Sequence, residues 1–201
     1  MKFEKGHWII LFFNLAYIIT FLIYYLSIKN YEFLWYIFVV IFFFFLIALT
    51  LGKTKFDYFI LWGLSLWGFM HMMGGGFIFN GETLYKFVIP IFQSGDIEIL
   101  KFDQIVHFFG FAVTTLIGYH LLKPHLNKMW NRGTIYFLLI LVGMGAGALN
   151  EIVEFIAVVS FPETGVGGYY NTGLDLVFNA FGAIAGVLII HYKEKFKHAK
   201  K

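Results

Sequence analysis

Residues 8–28 read WIILFFNLAYIITFLIYYLSI, an uninterrupted run with no charged side chain. At about 1.5 Å per helical residue such a run covers about 30 Å, the thickness of bilayer hydrocarbon. It is about twice the length of a signal-peptide apolar region, and no small-x-small cleavage site follows it, so it reads as a helix of the protein itself. The same criterion applied outward along the chain gives five further spans, at 34–51, 56–73, 102–122, 134–160 and 173–192. Pro90, Pro124 and Pro162 all fall between spans, where a missing N–H does least damage. The expected fold is an all-α membrane domain, 1–201, with six transmembrane helices. The one long connection, 74–101, carries an apolar stretch at 84–93 that is too short to cross and reads as a short interfacial or re-entrant segment.

Composition agrees. The chain is 60% apolar, 13% charged and 22% aromatic with mean hydropathy +0.76, against about 45–50% apolar and about 25% charged in soluble domains. A soluble globule and a disordered chain are both excluded. Cysteine is absent, which removes disulfides, thiolate nucleophiles and Cys-bound zinc, so any metal must be held by His, Asp, Glu or Asn.

The net charge of +3 is a topology signal. In a six-span arrangement Lys2, Lys5, Lys53, Lys55, Lys123, Lys128, Arg132, Lys193, Lys195, Lys197, Lys200 and Lys201 share one side, and only Lys29, Lys86 and Lys101 occupy the other. The positive-inside rule makes both termini cytoplasmic in a multi-pass plasma-membrane protein. The partner this charge implies is the lipid bilayer and not nucleic acid.

An ionised carboxylate facing lipid near the bilayer centre costs about 2.5–3.5 kcal/mol on insertion scales, yet the spans retain several. Asp103 and His107 stand four apart on the fourth span, so they share a helix face. Asn150, Glu151 and Glu154 lie within little more than one turn of the fifth, and Asp175 and Asn179 are four apart on the sixth. His71 ends the third. Odd and even spans run in opposite directions, which puts all of these residues at one depth in the outer half of the bilayer. Gly143, Gly145, Gly147, Gly182 and Gly186 would let backbones approach there. Gly167 and Gly168, in the loop before the last span, can offer backbone N–H groups to an anionic head group or serve as a flexible turn. Capping of a helix start is the favoured reading for Asp103 and Asp175 taken alone, whereas Glu151 and Glu154 lie too deep in a helix to cap anything.

In order along the chain stand H-M-x-G-G-G from His71, D-Q-x-V-H-F-x-G-F from Asp103, N-E-x-x-E-F from Asn150, and P-E-T-x-V-G-G-Y-x-N-T-G-x-D-L-x-F-N-x-x-G from Pro162. This series resembles the YjdF-like family of uncharacterised prokaryotic integral membrane proteins, and the resemblance implies a six-helix membrane protein. More remotely, Asp103, His107, Glu151 or Glu154 and the Asp175–Asn179–Gly182 series are similar to VanZ-like proteins, implicated in glycopeptide resistance. Gln104 stands where those proteins usually carry Lys, and the Arg often found before their final Asp is missing.

Two classes of function follow from the residues. One is a metal-dependent hydrolase or transferase acting on a lipid or lipid-linked substrate, with Asp103, His107, Glu154 and Asp175 around a divalent metal cation and Glu151, Glu154 and His107 in acid–base roles. His71, Asn150, Asn179, Gly167 and Gly168 would then contact substrate. The other is a proton- or cation-coupled carrier or a non-catalytic lipid-binding accessory protein, since a polar layer of carboxylates and His suits those as well. No internal repeat is evident, so a carrier would draw its second half from a homo-oligomer.

Overall fold

The structure, a computed structural model, describes residues 4–94, 97–126, 130–161 and 168–199. Six helices make the body: α1 Lys5–Ile28, α2 Tyr31–Thr54, α3 Tyr58–Gly76, α4 Phe102–Leu122, α5 Arg132–Ser160 and α6 Tyr169–Ala199. Among the described residues, α1, α2, α4, α5 and α6 are long and apolar enough to cross a membrane. Gly, Trp and His dilute α3, whose 19 residues nonetheless pack lengthwise between α1 and α4.

Local chemistry sets the helix boundaries. The Asn30 side chain accepts from Phe33 N–H and starts α2 earlier than hydropathy suggests, and Asp57 accepts from Ile60 N–H and starts α3. Lys29 and Lys55, both in the left-handed region, end the first two helices. Among the helix starts the largest shift is in α6, which begins at Tyr169 rather than 173 because Gly168 turns the chain at φ +93° and its carbonyl accepts from Thr172 N–H.

The connection after α3, expected to carry a short interfacial or re-entrant segment at 84–93, folds as two short hairpins within an otherwise helical protein. β1 Ile78–Phe79 pairs with β2 Glu82–Thr83 around Asn80–Gly81, both at positive φ, the turn that an Asn-Gly pair favours. A 3₁₀ turn at Leu84–Lys86 follows, and β3 Val88–Ser94 pairs antiparallel with β4 Ile97–Lys101. The stretch 84–93 is therefore a turn leading into a hairpin strand, whose irregular register between Val88 and Phe92 flanks Pro90.

α4 is the central helix, contacting α3, α5 and α6. Its seam with α6 is backbone-close. A Cβ at Gly182 would strike the Phe108 carbonyl oxygen, and one at Gly186 would lie 2.7 Å from the Ala112 carbonyl oxygen. Gly143 and Gly147 of α5 give similar room to Ala183 and Asn179, while Gly145 faces open space. Outward residues such as Phe12, Ile23, Phe38, Leu49, Phe137 and Leu149 are exposed, as lipid-facing surface should be.

Gly182→Ala is expected to cost about 1–3 kcal/mol through overpacking against unyielding backbone, whereas Gly145→Ala should leave stability unchanged or slightly higher. Thermal melts of the two purified variants in detergent check this; equal melting temperatures would contradict the close α4–α6 seam.

Candidate functional site

The entry to α4 is held by Gln104, a fully buried side chain. Its Oε1 accepts from Leu100 N–H (2.6 Å) and Lys101 N–H (3.2 Å), and its Nε2 donates to the Glu98 carbonyl (2.9 Å). Leu100 sits at φ +75°, a strained conformation for a branched side chain, and this clamp holds it there. Gln104 therefore does the capping that the sequence assigns to Asp103, whose carboxylate turns inward instead. Asp175 is not a cap either: with α6 starting at Tyr169, it lies in the second turn.

Both acids meet at His107. Its Nε2 lies 3.7 Å from Asp103 Oδ1 and 3.6 Å from Glu154 Oε1, and its Nδ1 lies 3.5 Å from Glu151 Oε1. Nδ1 also lies 3.0 Å from Asn179 Oδ1. An amide oxygen only accepts, so Nδ1 carries the hydrogen. Asn150 Nδ2 donates to Glu154 Oε1 at 2.8 Å, and Asn171 Nδ2 donates to Asp175 Oδ2. Three helices thus contribute to one cluster: Asp103 and His107 from α4, Glu151 and Glu154 from α5, Asp175 and Asn179 from α6. All six side chains are buried, and Asp175 and Asn179 have no exposed surface at all.

Two sets of donor atoms within this cluster are close enough to share a cation. They are Asp103, His107 and Asp175, and His107, Glu151 and Glu154, with donor atoms in each set no more than 4.8 Å apart. Four carboxylates surround one imidazole, and among the described residues no Lys or Arg forms an ion pair with any of them; Lys101 pairs with Glu98 instead. Glu151 Oε1, Asp175 Oδ1 and Asn179 Nδ2 are buried without a hydrogen-bond partner among the described residues.

The remaining sequence candidates lie at the margin. His71 adjoins the cluster across a cavity of about 10 Å³, room for about one water, which is lined by Trp67, His71, Val106, His107, Phe111 and Asn150. The Tyr85 hydroxyl donates to the His71 carbonyl (3.0 Å) and contacts His71 Nδ1. Burial pushes the Tyr85 phenol well above its ordinary value, so it remains a donor. Gly168 belongs to the turn that starts α6, and Gly167 lies outside the described residues. Sequence reasoning missed Tyr36, whose buried hydroxyl has no hydrogen-bond partner among the described residues and whose ring stands edge-on to His71 at 5.2 Å. It also missed Gln104, Tyr85 and Asn171. Asn171 alone carried a usable signal, its spacing of four from Asp175.

A family model described as "Predicted membrane protein (DUF2238)" matches residues 9–195. An uncharacterized protein of Thermotoga maritima is 30% identical over 100 residues, a match covering 48% of this chain and 51% of the relative. The chain thus spans about half the length of the curated relative that it matches. Neither match is to a VanZ-like protein. No solved structure matches.

Asn179→Ala removes the acceptor of the His107 N–H and is expected to cost about 1–3 kcal/mol, the penalty for a buried donor left unpaired. A thermal melt that matches the native protein would show that Asn179 does not hold the imidazole.

Proposed function

The chain belongs to the DUF2238 family of predicted membrane proteins, and from that premise we propose that it is a bilayer-embedded, metal-dependent hydrolase or transferase acting on a lipid-linked substrate. The observation that carries this reading is the surplus of buried carboxylate around His107. Four acids and one imidazole, unrelieved by Lys or Arg ion pairs among the described residues, require bound protons or a cation where water is scarce. The unpartnered oxygen of Asp175 supplies a lone pair for a cation and that of Glu151 one for a proton, and hard oxygens with one imidazole suit a divalent ion.

On this reading Asp103, His107, Glu154 and Asp175 are the ligands. A divalent cation there supplies polarisation of a phosphoryl or acyl oxygen and a lowered pKa for a nearby water. Glu151 takes the proton of the attacking hydroxyl as its oxygen bonds to the phosphoryl or acyl centre, and the proton passes to the departing oxygen as that bond breaks. His71, bordering the same cavity, is placed to relay it. Asn150 and Asn179, expected from the sequence to contact substrate, are engaged with Glu154 and His107 and serve as positioning residues.

The proposed setting is the plasma membrane, crossed six times, with both termini cytoplasmic and the His107 cluster in the outer half. This rests on the distribution of Lys and Arg. Because the chain has no native cysteine, Ser94→Cys should react with a membrane-impermeant maleimide in intact cells and Lys53→Cys only after lysis; the opposite pattern would invert the topology.

Elemental analysis tests the chemistry. Native protein should carry about one divalent metal per chain, and a His107→Ala Glu154→Ala variant should carry none. Equal and negligible metal in both would remove the metal-dependent reading.

A further inference from the structure

The small cavity beside His107 has two kinds of wall. His107, His71 and Asn150 form a polar end, and Trp67, Val106 and Phe111 form an apolar one. Val106 and Phe111 are buried at 1% and 2% exposure, whereas Trp67, His71 and Asn150 are half-buried, so the cavity leads from the imidazole to the flank of the bundle. The lining comes from α3, α4 and α5; α3 and α5 pack on α4 without extended contact with each other among the described residues, and Tyr36 of α2 closes on His71 at one end of the cavity. Trp67 stands midway along α3, nine residues from either end, or about 14 Å at 1.5 Å per residue. A half-exposed side chain at that depth faces acyl chains and not water.

Toward the end of α3 the site is covered among the described residues. Tyr85, 5% exposed, covers the end of α3, where its ring occupies the space a Cβ at Gly74 would need. It is fastened to the His71 backbone and flanked by Phe33 and Phe102. Beside it, Gln104 ties down the strand that enters α4. Trp67, by contrast, is held by packing alone among the described contacts: its indole lies on Gly110, where a Cβ would collide with it, and stands edge-on to Phe111 at 5.5 Å.

We propose that the site takes its substrate sideways from the bilayer, through the seam between α3 and α5, with Trp67 as the gate. The substrate class is an amphiphile whose polar head meets His107, His71 and Asn150 and whose hydrocarbon chain lies past Trp67 and Phe111. This rests on the His107 cluster being the site, and it adds the direction of entry and the kind of molecule. A cavity that holds about one water admits such a head only when the indole rotates off Gly110, so Trp67 sets access as well as lining the path.

The test uses full-length protein in phosphatidylglycerol vesicles containing a phospholipid with a diazirine near the head-group end of one acyl chain. After illumination, adducts are mapped by mass spectrometry. Adducts on Val106 and Phe111, which are shielded from annular lipid, are expected, and they should rise several-fold in Trp67→Ala and stay near native in Trp67→Phe. Labelling of outward Leu141 and Leu149 should be the same in all three, which reports an intact fold. Adducts confined to outward residues, or a yield at Val106 and Phe111 that Trp67→Ala does not change, would overturn the proposal. So would a water-soluble diazirine that labels Val106 and Phe111 as readily as the lipid does. Metal content measured on the same preparation separates the two readings. Metal with no lining adducts ends lateral entry and leaves the cation site standing; lining adducts without metal do the reverse.

Discussion

The constraint on which this structure turns is the cost of charge in a medium that cannot solvate it. Asp103, Glu151, Glu154 and Asp175 would each be expensive on a lipid-facing surface, and the bundle gathers all four around a single imidazole within three packed helices. His107 can serve two sides because its ring nitrogens face different neighbours. Nδ1 donates to Asn179, and Nε2 stands between Asp103 and Glu154. The Asn179 oxygen makes Nδ1 the donor of that contact, which leaves Nε2 to face the carboxylates.

Close backbone approach is what makes that gathering geometrically feasible. Gly182 and Gly186 let α6 lie against the Phe108 and Ala112 carbonyls of α4, and Gly147 leaves space for the Asn179 side chain between α5 and α6. Asp175 lies one turn before Asn179 and two before Gly182, on the stripe that this seam buries. Widening the seam by one methyl would move the amide off the imidazole and the carboxylate away from Asp103. Packing and electrostatics are thus one problem here, and the small residues serve the acids as much as they serve helix association.

Much of this was legible in the sequence because two regularities are strong. Charge-free runs of bilayer length mark the helices, and for α4 the boundaries agree at both ends. Opposed helix directions put Asp103, His107, Glu151, Glu154, Asp175 and Asn179 at one depth, so their meeting needed only that the faces converge. What escaped was local and chemical. Hydropathy cannot register that Tyr169 to Thr172 are helical, since a polar first turn looks like loop; four residues of error then turned Asp175 into an apparent cap. Gln104 was hidden by the acid beside it, because a carboxylate is the commoner cap and its neighbour's reach back to Leu100 depends on a hairpin. That hairpin region had a sequence sign in Asn80–Gly81, but an apolar stretch beside a membrane span is more readily read as interfacial. Tyr36 lies in an aromatic run, YEFLWYIF, where nothing separates the rings that turn toward His71, Phe33 and Tyr36, from those that face lipid.

A buried polar cluster in a membrane helix bundle can be simply structural, and the molecule contains an internal standard for that case. Between α1 and α3, Asn14 Nδ2 donates to Ser65 Oγ and the Ile10 carbonyl, Tyr17 donates to Asn14 Oδ1, and Ser65 donates to the Leu61 carbonyl. The donors find acceptors, and no polar atom of those three side chains is left buried and unpaired among the described residues. Structural networks close in this way because an open one is costlier than an apolar core. Around His107 the accounting does not close among the described residues: an oxygen on Glu151, an oxygen on Asp175 and the amide nitrogen of Asn179 have no hydrogen-bond partner. They surround the most highly charged point of the bundle interior, where an unmet lone pair is dearest. Packing alone gives no reason to retain such groups, since Leu or Met would fill the same space at lower cost. Unmet oxygens on Glu151 and Asp175 are what distinguish this cluster, among the described residues, from the closed Asn14 node between α1 and α3.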